Sequence, residues 1–211
     1  MLPLFINLRD RLCLVIGGGA VGRRKGLALL EAGARVRLIW PEGPPGEQTA
    51  PRLERVCGPY RPEHLDGVSL VIAAATPEVN RQVVADARAR GIWVNSATEP
   101  DEGDFHMAAT VRRGEFVVAV HTGGHAPALA REVCDRLEDL FDETFAVWVA
   151  LLAELRPLIR KTVAAPLRRP LLKKLCAWTW LERLRAEGRD AVRTAMYAEM
   201  QALAQGPRSS L

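Results

Sequence analysis

Aromatic residues make up only 6% of the 211 residues, and the four cysteines, Cys13, Cys57, Cys134 and Cys176, form no CxxC pair. Widely separated cysteines point to neither a zinc site nor a disulfide framework, and buried, reduced thiols are the expectation. No apolar run approaches the ~18 residues that a membrane span requires, and the N-terminus lacks the charged-then-apolar layout of a signal peptide. A soluble, cytoplasmic protein without membrane contact is therefore expected. Hydrophobic residues still amount to 48%, which is ordinary for a chain with a packed core. The formal charge of +4 is uneven: residues 147–211 hold 12 Lys/Arg against 5 Asp/Glu, while residues 1–146 hold 17 against 20. A basic C-terminal part invites an anionic ligand. Nucleic acid is the weaker choice, because no recognition motif accompanies the charge.

Short apolar runs punctuated by glycine come first. Leu12–Ile16 (LCLVI) reads as a buried parallel strand. Residues 17–22 open a helix over 23–31, then a second strand runs over 35–40 and a Pro/Gly-rich loop over 41–46. A third strand is expected over 68–75, a helix over 77–90 with Pro77 in its first turn, and a fourth strand over 92–95. Strand, helix and strand at this spacing imply a parallel sheet with right-handed crossovers. Residues 99–104 are an acidic loop, and two strands over 106–111 and 115–120 form a hairpin turning at Arg112, Arg113 and Gly114. Beyond Gly124 the pattern is helical. A helix over 128–141 carries Leu129, Val133, Leu137 and Leu140 at helical period, and further helices are predicted over 145–162, 167–186 and 189–204. Pro157, Pro166 and Pro170 punctuate them, and residues 206–211 are expected to fray. The fold class is α/β: a Rossmann-type domain over 1–108, a hairpin-containing segment over 109–145, and an all-helical domain over 146–211.

Residues 17–22 satisfy G-x-G-x-x-G between a strand and a helix. Gly17 permits the tight turn, Gly19 lets the backbone approach a pyrophosphate, and Gly22 lets helix and sheet pack closely. The phosphates would meet the N–H groups of the helix N-terminus, where the dipole favours negative charge. Glu42 stands roughly 20 residues on, where an acid accepts hydrogen bonds from ribose hydroxyls and repels a 2′-phosphate. That favours NAD over NADP, against which Arg23, Arg24 and Arg37 offer positive charge.

Leu4-Phe5-Ile6-Asn7-Leu8-Arg9-Asp10-Arg11 leading into CLVIGGGAVGRRK resembles the start of the precorrin-2 dehydrogenase family, the dehydrogenase module of sirohaem synthases. The segments LLEAGA at 29–34, AAAT at 73–76 with Asn80, Val94-Asn95, and VVAVHTGGHAP at 117–127 resemble it in the same order. The resemblance covers about residues 1–145 and implies oxidation of precorrin-2 to sirohydrochlorin with NAD, in sirohaem or cobalamin synthesis. It implies a homodimer whose central segment, 109–145, dimerises, and a substrate carrying eight carboxylates. Gly17, Gly18, Gly19, Ala20, Val21 and Gly22 match the cofactor loop, Pro41 and Glu42 its ribose end, and Thr76 and Asn80 a turn beside the nicotinamide. Asn95 and the run Thr122, Gly123 and Gly124 match positions facing substrate. Arg160, Lys161, Arg168, Arg169, Lys173 and Lys174 are candidates for its carboxylates.

One position departs from the family. Its usual N-x-x-D-x-P keeps Asn95 and Pro100 here, but the aspartate's place is held by Thr98. That aspartate is the family's main candidate for acid–base work in dehydrogenation and metal insertion. A general base is typically worth 10²–10⁴ in rate where proton transfer limits, so a dehydrogenase with weak or no chelatase activity is expected. Asp101, Asp104, His121 and His125 are the replacement candidates, with His106 a weaker one. No metal ligand set is predicted. The competing readings are a metal chelatase inserting ferrous iron and a non-catalytic NAD-binding regulatory protein.

Overall fold

The computed structural model describes residues 1–41 and 51–204; Glu42 and the expected frayed end lie outside them. Contacts divide the chain into two units, Met1–Met107 and Ala108–Leu211.

The first unit is a five-stranded parallel sheet of β1 (Leu12–Ile16), β2 (Arg35–Ile39), β3 (Leu53–Val56), β4 (Leu70–Ala73) and β5 (Trp93–Ser96), in the order β3-β2-β1-β4-β5. Its helices are α1 (Ala20–Glu31) and α2 (Pro77–Ala89). Strand alternation sends Leu14, Ile16, Val71 and Ala73 into one apolar cluster, and Cys13, Val15, Leu70 and Ile72 into another. Burial on both faces is why these strands read as unbroken apolar runs. Helix α1 starts at Ala20, three residues before its predicted start. Strand β3 was not foreseen: it is four residues long, two of them the charged Glu54 and Arg55, so it carries almost no hydrophobic signal.

The acidic loop is ordered against the sheet. Val94 N–H donates to Asp104 Oδ2 at 2.9 Å, and Asp104 N–H donates back to the Val94 carbonyl at 2.7 Å. Asp104 thereby occupies the outer edge of β5, and Gly103 fits because a Cβ there would stand 3.2 Å from three backbone atoms.

The second unit opens with an antiparallel hairpin, β6 (Ala109–Arg113) and β7 (Phe116–Val120), whose turn is Gly114-Glu115. The turn falls later than predicted, where Gly114 supplies the positive φ of 58° that a two-residue connection needs. Helices α3 (Pro127–Leu140), α4 (Glu143–Thr162), α5 (Ala165–Leu175), α6 (Thr179–Glu187) and α7 (Arg189–Ala204) follow. Phe145, Trp148, Leu151, Leu155, Leu171, Leu181 and Met196 are among the residues of their core.

The single helix predicted over 167–186 is two, and the tryptophans explain the break. Trp148 Nε1 donates to the Leu175 carbonyl at 3.2 Å and Trp180 Nε1 to the Lys174 carbonyl at 3.0 Å. Both carbonyls end α5 and find partners outside helical continuation. Pro157 and Pro170 lie inside α4 and α5, whereas Pro166 starts α5. The expectation of four buried thiols holds for two: Cys13 and Cys134 are buried, Cys57 and Cys176 exposed. Cys57 directly follows the edge strand and Cys176 caps α5, where neither is covered.

Candidate nucleotide site

Strand order reverses at β1, between β2 and β4, which is the switch point where open α/β sheets bind ligands at their carboxyl edge. The glycine loop leaves β1 there. Gly17 has φ of 105°, and a Cβ on it would stand 2.2 Å from the Ala74 carbonyl oxygen. A Cβ on Gly22 would stand 2.0 Å from the Gly17 carbonyl oxygen, so any larger residue would force α1 off the loop. Gly19 differs: it caps α1 with φ of −67° and ψ of 178°, and its Cβ would meet nothing within 4 Å. Ala20 and Val21 begin α1, whose first N–H groups have no partner within the helix. An open approach over Gly19 beside unshared N–H donors suits a pyrophosphate, and the residues fit the nucleotide that the motif implies.

Gly18 has a different cause. A Cβ on it would stand 2.1 Å from Trp40 Cδ2, so the indole lies directly against the loop. The Arg23 guanidinium sits 5.6 Å from the Trp40 ring centroid, a cation–π contact. Trp40 was missed by sequence reasoning. The signal was the middle glycine of the triplet, which G-x-G-x-x-G does not itself require. Pro41 follows Trp40 as an exposed turn residue. Of the arginines weighed for a 2′-phosphate, Arg37 is engaged, donating to Glu54 Oε2 at 2.8 Å and to the His64 carbonyl at 3.4 Å.

At the adjoining end of β4, Thr76 precedes α2 and its carbonyl accepts from Asn80 N–H at 2.9 Å. Asn80 is buried; its Oδ1 accepts from Ala75 N–H at 2.9 Å, and its Nδ2 donates to the Ala75 carbonyl at 3.3 Å and Thr98 Oγ1 at 3.1 Å. Thr98 is exposed. Asn95 is buried on β5 with both amide atoms used: Oδ1 accepts from Lys25 Nζ, and Nδ2 donates to the Phe105 carbonyl at 2.8 Å. It ties α1 to the loop after β5. Burial, and then the charge of Arg24, push the Lys25 ammonium below its ordinary pKa. Nothing in the cofactor motif itself pointed to Lys25.

Asp101 is exposed in the short 3-10 turn Pro100–Glu102, and the Asp104 carboxylate is bonded to β5 and 3.8 Å from Arg88. His106 Nε2 lies 3.2 Å from the Pro100 carbonyl. The second unit brings His121, Thr122, Gly123, Gly124 and His125 into one turn before α3. There Gly123 N–H donates to His121 Nδ1 at 3.1 Å, and Ala126 N–H donates to Thr122 Oγ1 at 3.2 Å. Gly123 and Gly124 take positive φ of 68° and 86°. Among the described residues no group of three His, Cys, Asp or Glu side chains is placed to hold a metal ion.

Residues 4–109 match the NAD_binding_7 family model, which describes NAD(P)-binding proteins. The chain belongs to this NAD(P)-binding family. The glycine loop, α1 and the Asn80 turn all fall within the matched span of the NAD(P)-binding family. The chain is 40% identical over 164 residues to the siroheme synthase of Methylobacillus flagellatus, covering 76% of this chain and 35% of that protein. With the siroheme synthase of Chromobacterium violaceum it shares 44% over 142 residues, covering 65% of this chain and 30% of that one. The chain thus spans about a third of the length of these curated relatives. Among solved structures, SirC, a precorrin-2 dehydrogenase, superposes with a TM-score of 0.73 at 21% identity, over 95% of this chain and 99% of SirC. The two share a fold.

Proposed function

We propose that this chain is an NAD-dependent dehydrogenase that oxidises precorrin-2 to sirohydrochlorin. The observation that carries the reading is the open, donor-lined loop over Gly19 at the switch point of a chain that shares its fold with SirC almost end to end. The relatives' own names, siroheme synthase and precorrin-2 dehydrogenase, supply the substrate class.

NAD, when bound, supplies the hydride acceptor. The loop residues 17–22 would hold the pyrophosphate through backbone N–H groups, and Pro41 would stand at the ribose end; Glu42, the acid proposed for the ribose hydroxyls, lies outside the described residues. Thr76 and Asn80 shape the turn beside the nicotinamide. Oxidation would take a hydride from a substrate carbon to that hydride acceptor, with the accompanying proton leaving to solvent. Its eight carboxylates suit the acid-free stretch between Glu154 and Glu182, which holds seven Lys/Arg. Among the described residues only Lys174 of these seven has a carboxylate partner, Glu199 Oε2 at 2.6 Å, whereas in α6 and α7 Arg183 pairs with Glu187, and Arg189 and Arg193 with Glu154. The turn at 121–125 is proposed to face substrate, and segment 109–145 to dimerise in a cytoplasmic homodimer.

The test is anaerobic incubation of enzymatically generated precorrin-2 with NAD, following absorbance at 340 nm and the sirohydrochlorin spectrum. NADH and sirohydrochlorin are expected to appear together and only when NAD is present. Binding of NAD with no oxidation of precorrin-2 would overturn the assignment and leave a nucleotide-binding protein.

A further inference from the structure

We propose that Thr98 is a hydrogen-bond donor, oriented by Asn80, that holds an acceptor oxygen of the bound cofactor or substrate; this rests on the dehydrogenase reading above. The direction of the Asn80–Thr98 bond follows from counting protons. Asn80 Oδ1 accepts from Ala75 N–H at 2.9 Å, which fixes the other end of the amide as Nδ2. An amide nitrogen has two hydrogens and accepts nothing. Those two go to the Ala75 carbonyl at 3.3 Å and to Thr98 Oγ1 at 3.1 Å. The Thr98 oxygen is therefore the acceptor, and its own hydrogen points elsewhere. Asn80 is 1% exposed, so its orientation is set by the fold, whereas Thr98 is exposed at the carboxyl edge of the sheet.

The consequence is a reversal of polarity. An aspartate at this position would also accept from Asn80, but would present a second, negatively charged acceptor outward. Threonine presents a neutral donor. An acceptor-rich partner fits it: the carboxamide carbonyl of a nicotinamide, or one carboxylate of a polycarboxylate tetrapyrrole. Asn80 is then a positioning residue, since its amide decides which way the hydroxyl faces.

The test measures binding, so that it does not depend on turnover. NAD and sirohydrochlorin are titrated separately into the native protein, Thr98→Val, Thr98→Ser and Thr98→Asp, with tryptophan emission as the readout for NAD and tetrapyrrole absorbance for sirohydrochlorin. A hydrogen bond of ordinary net strength corresponds to roughly a three- to tenfold change in affinity. Thr98→Val is expected to lose about that much for one ligand, Thr98→Ser to retain it, and Thr98→Asp to lose at least as much for a carboxylate partner. A loss confined to NAD identifies the carboxamide as acceptor; a loss confined to sirohydrochlorin identifies a carboxylate. Asn80→Asp offers Thr98 an acceptor and turns its hydroxyl inward. It should reproduce the Thr98→Val loss, with no further loss in the double variant. Unchanged affinity of Thr98→Val for both ligands overturns the inference while leaving the dehydrogenase reading intact. A native protein that binds neither ligand overturns both.

Discussion

Cys13 lies in the centre of the sheet with no exposed surface, and burial pushes its thiol up to about 11. Burial also raises the Cys134 thiol, while Cys57 and Cys176 are exposed. Because thiolates are the reactive species, a thiol reagent at pH 8 should modify two cysteines rapidly in the native protein and all four in denaturant. Four rapid thiols would contradict this packing. The sign for stability follows from the same shift. The unfolded chain ionises Cys13 near the ordinary thiol value, the folded chain only near 11. That contribution is therefore complete below about pH 8.5 and fades as pH rises towards 11. At this scale the sequence told only part of the story. Cysteine spacing was enough to argue against zinc and disulfide frameworks, but exposure depends on which neighbours cover a residue. The same limit hid Trp40, Lys25 and the engagement of Asn95: each is defined by a contact between residues distant in the chain.

The glycine loop separates two roles that one motif combines. Gly17→Ala meets both a φ of 105° and the Ala74 carbonyl at 2.2 Å, and should destabilise the protein by about 2 kcal/mol or more. Gly19→Ala has ordinary dihedrals and open space, so thermal unfolding should stay within about a degree of native while NAD affinity falls about tenfold or more. Calorimetry and NAD titration on the pair check both; a Gly19→Ala variant that binds NAD normally would remove the loop from the cofactor's path. The loop was legible because its requirements are backbone requirements, written in residues that have no side chain. Strand β3 and the break between α5 and α6 were not. The first rests on pairing with β2, through Val36 opposite Leu53 and Ile39 opposite Val56. The second rests on two indole N–H groups that take the last carbonyls of α5, Trp148 from α4 and Trp180 from just past the break.

Periodicity gave α3 an apolar face at Leu129, Val133, Leu137 and Leu140, and the chain covers that face only in part: Val133 and Leu137 are half-buried. Leu129 is 56% and Leu140 49% exposed, and the helix buries Ala130 and Cys134 instead. Exposed leucines at both ends of that face, on the segment proposed to dimerise, are what a second copy would cover. Native protein should sediment as a dimer, and Leu129→Glu should shift it towards monomer at micromolar concentration without loss of helix content by circular dichroism. A native monomer would withdraw the proposal. The two-part plan of sheet followed by helices was readable from the chain, because it follows from hydrophobic period alone. Which cations meet substrate was not, because charge in a sequence does not say which acids stand nearby. The seal on β5 bears on how the molecule survives at high concentration. An open strand edge is a template on which another chain can add. Here Ile92 N–H is taken by the Ala87 carbonyl and both Val94 groups by Asp104. The opposite edge is β3, four residues long with a charged pair at its centre. Neither border offers a long apolar ribbon, so the first unit is built to resist aggregation by strand addition.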